Sequence, residues 1–268
     1  MPQYIPIGRE QHQYAGLAPK KGYAFASKEA LVPVLAEEMP HILPTIPTGF
    51  VYSEDTKAYQ LVAIQSLEPG LNLYIHPDGR WFGGYTPSAF RGYPFALLPA
   101  ESSDKLVLCI DTDSGLLHPE AEEGDQRLYT PEGEPVERLT QTAEFLQKRA
   151  VGQQQTNAIV AQLAKLDLIV PWNVQLQLTD QEKREPIAVK GLFHIDEQAL
   201  RSLPAEQLKE LSQSGALALA YTQLLSEHRM KGLLRLYELR KKIKQNDASV
   251  EEPDLDALFG DEDDLLRF

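Results

Sequence analysis

TGFVY, residues 48–52, and AYQLVAIQSL, residues 58–67, are the two segments that decide the fold class. Both are rich in aromatic and β-branched residues, which favour strands packed on a core. LNLYIH, residues 71–76, follows across the turn formers Glu68-Pro69-Gly70. We therefore predict that residues 50–76 belong to an antiparallel meander.

Two segments further along the chain also have strand patterns. KLVLCID, residues 105–111, is a continuous apolar run that predicts a buried strand, and the turn formers DTDSG end it. NVQLQLT, residues 173–179, alternates apolar and polar residues, and IAVKGLFHID, residues 187–196, can return beside it as a hairpin.

The remaining periodic segments predict helices. SKEALVPVLAEEM, residues 27–39, has apolar residues at helical spacing, with Ser27 as N-cap and Pro33 near the first turn. Residues 136–168 predict one long helix or two shorter ones that break at Gly152, and the chain is helical again from Pro204. Strands first and helices later predict an α+β fold, with an antiparallel sheet from the N-terminal half packed against helices from the C-terminal half.

Composition excludes several classes of function. The chain has 268 residues, 43% of them hydrophobic, so it can bury a substantial core. Its net charge of −13 argues against non-specific binding of nucleic acid and against attraction to anionic membranes. The opening residues lack the pattern of a secretory signal and no segment is apolar enough to span a bilayer, so we expect a cytoplasmic protein.

The charge is concentrated at the C-terminal end. Residues 245–268 hold nine acidic side chains and one basic one, a net −8, which leaves −5 on the rest. We predict a single domain over residues 1–246 and a disordered acidic tail over residues 247–268. A second interpretation is that the tail docks on a partner through apolar anchors, and a third is an uncleaved export signal. The candidate anchors are Leu258, Phe259, Leu265 and Phe268.

WFGGYTPSAFRGYPFAL, residues 81–97, is the first candidate site. Its glycines and prolines exclude a regular strand or helix, so the segment runs as a loop that either covers the core or forms the wall of a pocket. We expect Trp81 and Phe95 to be mainly structural, because large aromatic side chains are usually buried. We expect Tyr85, Arg91 and Tyr93 to border a cleft in which Arg91 can bind a carboxylate or phosphate.

Asp111 and Asp113 form the second candidate site. Two carboxylates at the end of a strand can hold Mg²⁺ or Mn²⁺, but the same residues with Ser114 and Gly115 are typical of a turn, and we favour the turn. Cys109 lies in an apolar run and is expected to be an inert buried thiol. The six histidines show no metal-ligand spacing, and no phosphate-binding loop or dinucleotide motif is present. The sequence thus predicts neither a metal nor a cofactor.

Several blocks of the sequence resemble the bacterial SapC family. They are LVPVLAEEMPH, LEPGLNLYIHPDGRWFGGYTPSAFRGYPFAL, LCIDTDSGLL, GLFHIDEQALRSL and SGALALAYTQLLS, which occur in the family's order between about residues 12 and 236. The family takes its name from a surface-layer locus, and many similar proteins look like products of gene clusters with outer-membrane nutrient receptors and flavin-dependent halogenases. The resemblance implies an accessory or binding protein of surface-layer or outer-membrane processes, with an unidentified protein or small-molecule partner. The alternative is an enzyme that acts on a small anionic substrate near Arg91, Asp111 and Asp113.

Overall fold

Antiparallel sheets drawn mostly from the N-terminal half and helices drawn mostly from the C-terminal half make up this protein, so the predicted α+β class is confirmed. The computed structural model describes residues 3–100, 103–176 and 187–245. The strands in these ranges are β1 (Tyr4–Pro6), β2 (Gly16–Leu17), β3 (Leu31–Pro33), β4 (Thr48–Ser53), β5 (Ala58–Ile64), β6 (Phe95–Ala100), β7 (Ser103–Asp111), β8 (Leu117–His118), β9 (Gln126–Arg127), β10 (Ile169–Pro171), β11 (Val174–Leu176), β12 (Ile187–Val189) and β13 (Leu192–Ile195). The helices are α1 (Arg9–His12), α2 (Met39–Ile42), α3 (Ser88–Arg91), α4 (Glu137–Lys165), α5 (Glu197–Arg201), α6 (Ala205–Ser214), α7 (Ala216–Ser226) and α8 (Met230–Gln245).

The largest sheet in the described residues has the strand order β10-β13-β4-β5-β3, and all its neighbouring strands are antiparallel. At its centre lies the β4–β5 hairpin, in which Phe50 pairs with Leu61 and both side chains are fully buried. The two strands predicted from the opening segments are therefore confirmed. Because β13 pairs with β4, the two halves of the chain share one sheet.

The prediction of a further meander strand over residues 71–76 is wrong. Within the described residues, this segment contributes only an isolated bridge at Ile75. The side chain of Asn72 contacts Gln65 Oε1, and its own Oδ1 accepts a hydrogen bond from Tyr74 N at 3.0 Å. These side-chain bonds satisfy the backbone locally and turn the chain inward, so that Tyr74 is fully buried instead of extending the sheet.

The prediction of a helix over residues 27–39 is also wrong. The segment divides into strand β3, a 3₁₀ turn over Ala36–Glu38 and the short helix α2. Val32 and Val34 are both buried, which is the period of two that a strand requires. The edge of β5 supplies hydrogen-bond partners for this backbone, and Pro33 is tolerated because β3 is an edge strand.

Helix α4 continues through Gly152, so the alternative with a break at this residue is wrong. Gly152 is buried against the segment that precedes α2: a Cβ added there would lie 3.0 Å from Leu35 Cδ1. The glycine therefore allows close packing of the helix rather than ending it.

A second sheet has the order β1-β7-β6 and positions one end of the candidate site. The predicted strand at residues 105–111 is confirmed as part of β7, but only its C-terminal end is buried: Leu106 is 47% exposed and Ile110 is 0% exposed. Because Tyr4 of β1 pairs with Asp111 of β7, the first of the two candidate aspartates lies beside the N-terminal strand.

The helices at the C-terminal end and the second hairpin agree with the sequence. Helices α6, α7 and α8 follow Pro204, with Gly215 in the left-handed conformation between α6 and α7. Strand β11 pairs with β12, which confirms the hairpin, although residues 177–186 lie outside the described residues. No helix in the described ranges is both long enough and apolar enough to cross a membrane.

The main core draws on both halves of the chain, from Ala26 to Leu236. A second, smaller cluster contains Ala15, Leu128, Tyr129 and Leu139. The single domain over residues 1–246 stays a prediction, and the predicted tail over residues 247–268 lies outside the described residues.

Candidate functional site

Trp81 begins the aromatic segment and packs against the main core. Its ring lies 5.7 Å from that of Tyr74, 5.9 Å from that of Tyr23 and 5.9 Å from that of Phe90. Gly83 allows the chain to pass this close to the indole, because a Cβ there would lie 2.6 Å from Trp81 Nε1. The structure thus places Trp81 in a structural position.

Tyr85 and Arg91 lie at a buried carboxylate that the sequence did not single out. Glu38 is 3% exposed, and Tyr85 Oη donates to its Oε1 at 2.9 Å. Arg91 Nη2 donates to Tyr85 Oη at 2.7 Å, and lies 3.9 Å from Glu38 Oε1. Burial and the hydrogen bond to Glu38 raise the pKa of Tyr85 to about 12.

Glu38 accepts three further hydrogen bonds from the backbone and side chains around it. Its Oε1 accepts from Ser88 N at 2.7 Å, and its Oε2 accepts from Ser88 Oγ at 2.8 Å and from Leu35 N at 2.9 Å. The carboxylate therefore joins the 3₁₀ turn before α2 to the start of α3. Adjacent acidic residues such as Glu37 and Glu38 look alike in sequence, and only the contact with residues 85–88 distinguishes them.

A cleft of about 750 Å³ is lined in part by Ala89 and Phe90 of α3. Its walls are mostly apolar and include Phe25, Phe90, Tyr93 and Phe95, with leucines of β6 and α4. The rings of Phe25 and Tyr93 stack with their centroids 3.8 Å apart. Phe95 has two roles, because it also packs against the smaller core cluster. This volume and lining are typical of a site for a small molecule.

The charged groups of the cleft are not those expected from sequence. Asp111 and Asp113 line it together with Glu29, but Arg91 and Tyr85 do not. The cation in the lining is Arg149 of α4. The structure therefore separates the five candidate residues into a Glu38 cluster, which holds Tyr85 and Arg91, and a cleft, which holds the other three.

Arg91 is instead held between two aromatic rings. Its guanidinium carbon lies 5.2 Å from the ring centre of Tyr85 and 5.4 Å from that of Phe145, and 44% of its side chain is exposed. These contacts are cation–π interactions at a partly solvated position. They leave Arg91 apart from the two aspartates.

Asp111 forms the polar end of the cleft. It is 4% exposed, and its Oδ1 accepts a hydrogen bond from Asp113 N at 3.1 Å. Burial raises the pKa of Tyr93 to about 12, with further contributions from the charge of Asp111 and a hydrogen bond to it. Tyr93 and Asp111 thus line the same cleft, and the negative charge of Asp111 favours the protonated form of Tyr93.

The sequence model of the SapC family matches residues 7–233. The chain belongs to the SapC family. No curated protein and no solved structure matches the chain. Every lining residue of the cleft in this SapC protein except Tyr4 falls within the matched range, and residues 234–268 follow it.

Two other predictions from the sequence of this SapC protein concern Cys109 and the docking residues of the C-terminal tail. Cys109 is 3% exposed and burial raises the pKa of its thiol, which agrees with an inert side chain. The candidate docking anchors lie outside the described residues: Leu258, Phe259, Leu265 and Phe268. Docking through the tail therefore stays a prediction.

The Asp-x-Asp segment forms the turn that the sequence favours. Residues Thr112–Ser114 make a 3₁₀ turn capped by Asp111, and Gly115 follows at a φ of 66°. No group of three or more potential metal ligands occurs in the described ranges. We expect chelation with EDTA to leave the melting temperature unchanged, because a bound ion would stabilise the native state. A rise in melting temperature with Mg²⁺ that is lost in Asp111→Asn would contradict this.

Burial and the nearby charge of Asp111 predict a shifted titration of Tyr93. Because the pKa of Tyr93 lies near 12 rather than 10, its proton stabilises the native state fully below about pH 10, and this stabilisation is lost as the pH rises toward about 12. An ultraviolet titration measures this pKa, and Tyr93→Phe assigns the signal to Tyr93. Asp111→Asn should lower the pKa of Tyr93 only part of the way back toward 10, because burial is the largest cause of the shift. An unchanged pKa in Asp111→Asn would show that the two groups do not interact.

Proposed function

We propose that this SapC protein is a cytoplasmic binding protein that serves surface-layer or outer-membrane processes and holds a small amphipathic ligand in its cleft. The observation that carries the proposal is the cleft of about 750 Å³, with aromatic and aliphatic walls and a few charged groups. Sites for small molecules in proteins have this size and this balance of apolar and polar lining. Family membership supports the accessory role.

Binding is favoured over chemistry by how the candidate groups are used. The enzyme expected from the sequence places Arg91 and the two aspartates around one reacting centre, but Arg91 lies at Glu38 and outside the cleft lining. One oxygen of Asp111 is already used in its own turn. No observation on the described residues favours the enzyme specifically.

Native mass spectrometry of the protein purified from its host tests the proposal. We expect a retained small molecule in the wild type and its loss in Ala150→Phe, because Ala150 lines the cleft and a phenyl ring there would project into the space beside Arg149. Val151→Phe is the matched control, since Val151 is the next residue of α4 and is 49% exposed.

Comparison of the two variants shows whether the ligand binds in the cleft. Loss of the ligand in Ala150→Phe, with retention in Val151→Phe, supports the cleft as the binding site. Retention of the ligand in both variants would place binding elsewhere, and a wild-type protein that never retains a small molecule would contradict the proposal.

A further inference from the structure

The charged side chains that line the described part of the cleft are unequal in number, with more carboxylates than cations. Arg149 is the one cation among its described lining residues, whereas Glu29, Asp111 and Asp113 each contribute a carboxylate. Glu29 and Asp113 are exposed, so water screens their charges, and Asp111 accepts a hydrogen bond from Asp113 N. The positive charge of the site therefore depends on a single side chain.

Arg149 has no partner within the described parts of the chain. Its guanidinium makes no hydrogen bond or ion pair there, and its Nε is buried without an acceptor. Burial lowers the pKa of Arg149, and the charge of Glu38 partly opposes that shift. An arginine remains charged in a protein, so a half-buried guanidinium without an anion is an unfavourable arrangement by itself.

Glu38 is the acidic residue whose charge acts on Arg149, but its oxygens already accept hydrogen bonds from other groups. Four hydrogen bonds reach the carboxylate, from Leu35, Tyr85 and Ser88, and none comes from Arg149. The charge of Glu38 favours the charged form of Arg149 without satisfying its hydrogen-bond donors. Those donors remain available to a ligand.

We infer that Arg149 binds the carboxylate of a ligand whose apolar body lies against the aromatic wall of the cleft. This inference rests on the proposed function and names the class of ligand. A guanidinium and a carboxylate match in charge and in planar, bidentate geometry. A phosphate dianion fits less well, because it brings a second negative charge into a cleft that offers one cation and already holds three carboxylates.

A matched pair of probes tests the inference, 2-naphthylacetate and its neutral amide 2-naphthylacetamide, with affinities measured by isothermal titration calorimetry. The wild type should bind the acid about tenfold more tightly than the amide, the difference that a charge-assisted hydrogen bond provides. Arg149→Gln should remove that preference and leave the affinity for the amide within about twofold. Lys148→Gln is the control, because it removes the same charge from the adjacent, exposed position of α4.

A second variant tests the effect of the acidic groups. Asp113→Asn removes an exposed like charge, so it should raise the affinity for the acid by about two- to threefold and leave the amide unchanged. Circular dichroism of each variant checks the fold. If Arg149 only supports the structure, Arg149→Gln would weaken both probes together and lower the melting temperature, which would overturn the inference.

The outcomes separate the inference from the proposed function. Equal binding of acid and amide by the wild type would contradict the carboxylate role of Arg149 while the cleft remains a binding site. Binding of neither probe would contradict both. Loss of the acid preference in Lys148→Gln as strongly as in Arg149→Gln would show a general charge effect and would also overturn the assignment to Arg149.

Discussion

Glu38→Ala should lower the free energy of unfolding by at least about 3 kcal/mol. The substitution leaves four donors without their acceptor: the backbone N–H groups of Leu35 and Ser88 and the hydroxyls of Ser88 and Tyr85. Buried donors that lose a charged acceptor keep their desolvation cost, and this cost is larger than the net value of an ordinary hydrogen bond. Urea denaturation measures the effect.

Glu37→Ala provides the control for this result. Glu37 is the exposed neighbour in the same 3₁₀ turn, so its removal should change the free energy of unfolding by no more than about 0.5 kcal/mol. Glu38→Gln should fall between the two, because the amide retains one acceptor oxygen and presents an NH₂ group to donors. Equal effects at Glu37 and Glu38 would mean that the carboxylate is not the link between residues 35–38 and α3.

Trp81→Ala should destabilise the protein by about 3–5 kcal/mol, the usual range for truncation of a large aromatic side chain in a core. The indole contacts Tyr23, Tyr74 and Phe90, so its loss leaves a cavity beside the main core. Thermal and urea denaturation both measure this. Because Phe90 also lines the cleft, we expect the same variant to weaken ligand binding.

Phe82→Ala and Trp81→Phe test the origin of that effect. Phe82 is the next residue and its ring lies 5.2 Å from that of His76, outside the core cluster, so its truncation should cost much less. Trp81→Phe removes an indole N–H that is buried without a partner. This substitution should therefore lower the free energy of unfolding by less than the lost side-chain volume alone suggests. A similar loss for Trp81→Ala and Phe82→Ala would show that Trp81 is not part of the core.

The sequence by itself determined the elements whose signals are local. Aromatic and β-branched residues around Phe50 and Leu61 identified the central strands, and helical periodicity identified α4. Asp111 and Gly115 identified the turn after β7, because an Asp side chain and a glycine stabilise such a turn within a few residues. Such sequence patterns involve residues that are close together in the chain and do not depend on contacts with residues far away in sequence.

Tertiary structure alone decided the conformation of residues 27–39 and 71–76. The first segment carries both helical and strand periodicity, and it became a strand because β5 has an edge to which Leu31 can pair. The second has strand composition, but the side chain of Asn72 bonds Gln65 and directs Tyr74 into the core. Local propensity is weak compared with the burial and hydrogen bonds that distant residues provide.

In the candidate site too, some residues could be predicted from the sequence and others only from the tertiary structure. The sequence found Tyr93, Asp111 and Asp113, because the aromatic loop and the end of a strand are visible in one segment. It could not distinguish Glu38 from Glu37 or Arg149 from Lys148, since adjacent charged residues of a helix or turn look alike until packing gives one of each pair a buried environment. Charge and composition are properties of the chain, whereas burial of a charge depends on residues far away in sequence, and only the folded protein brings those together.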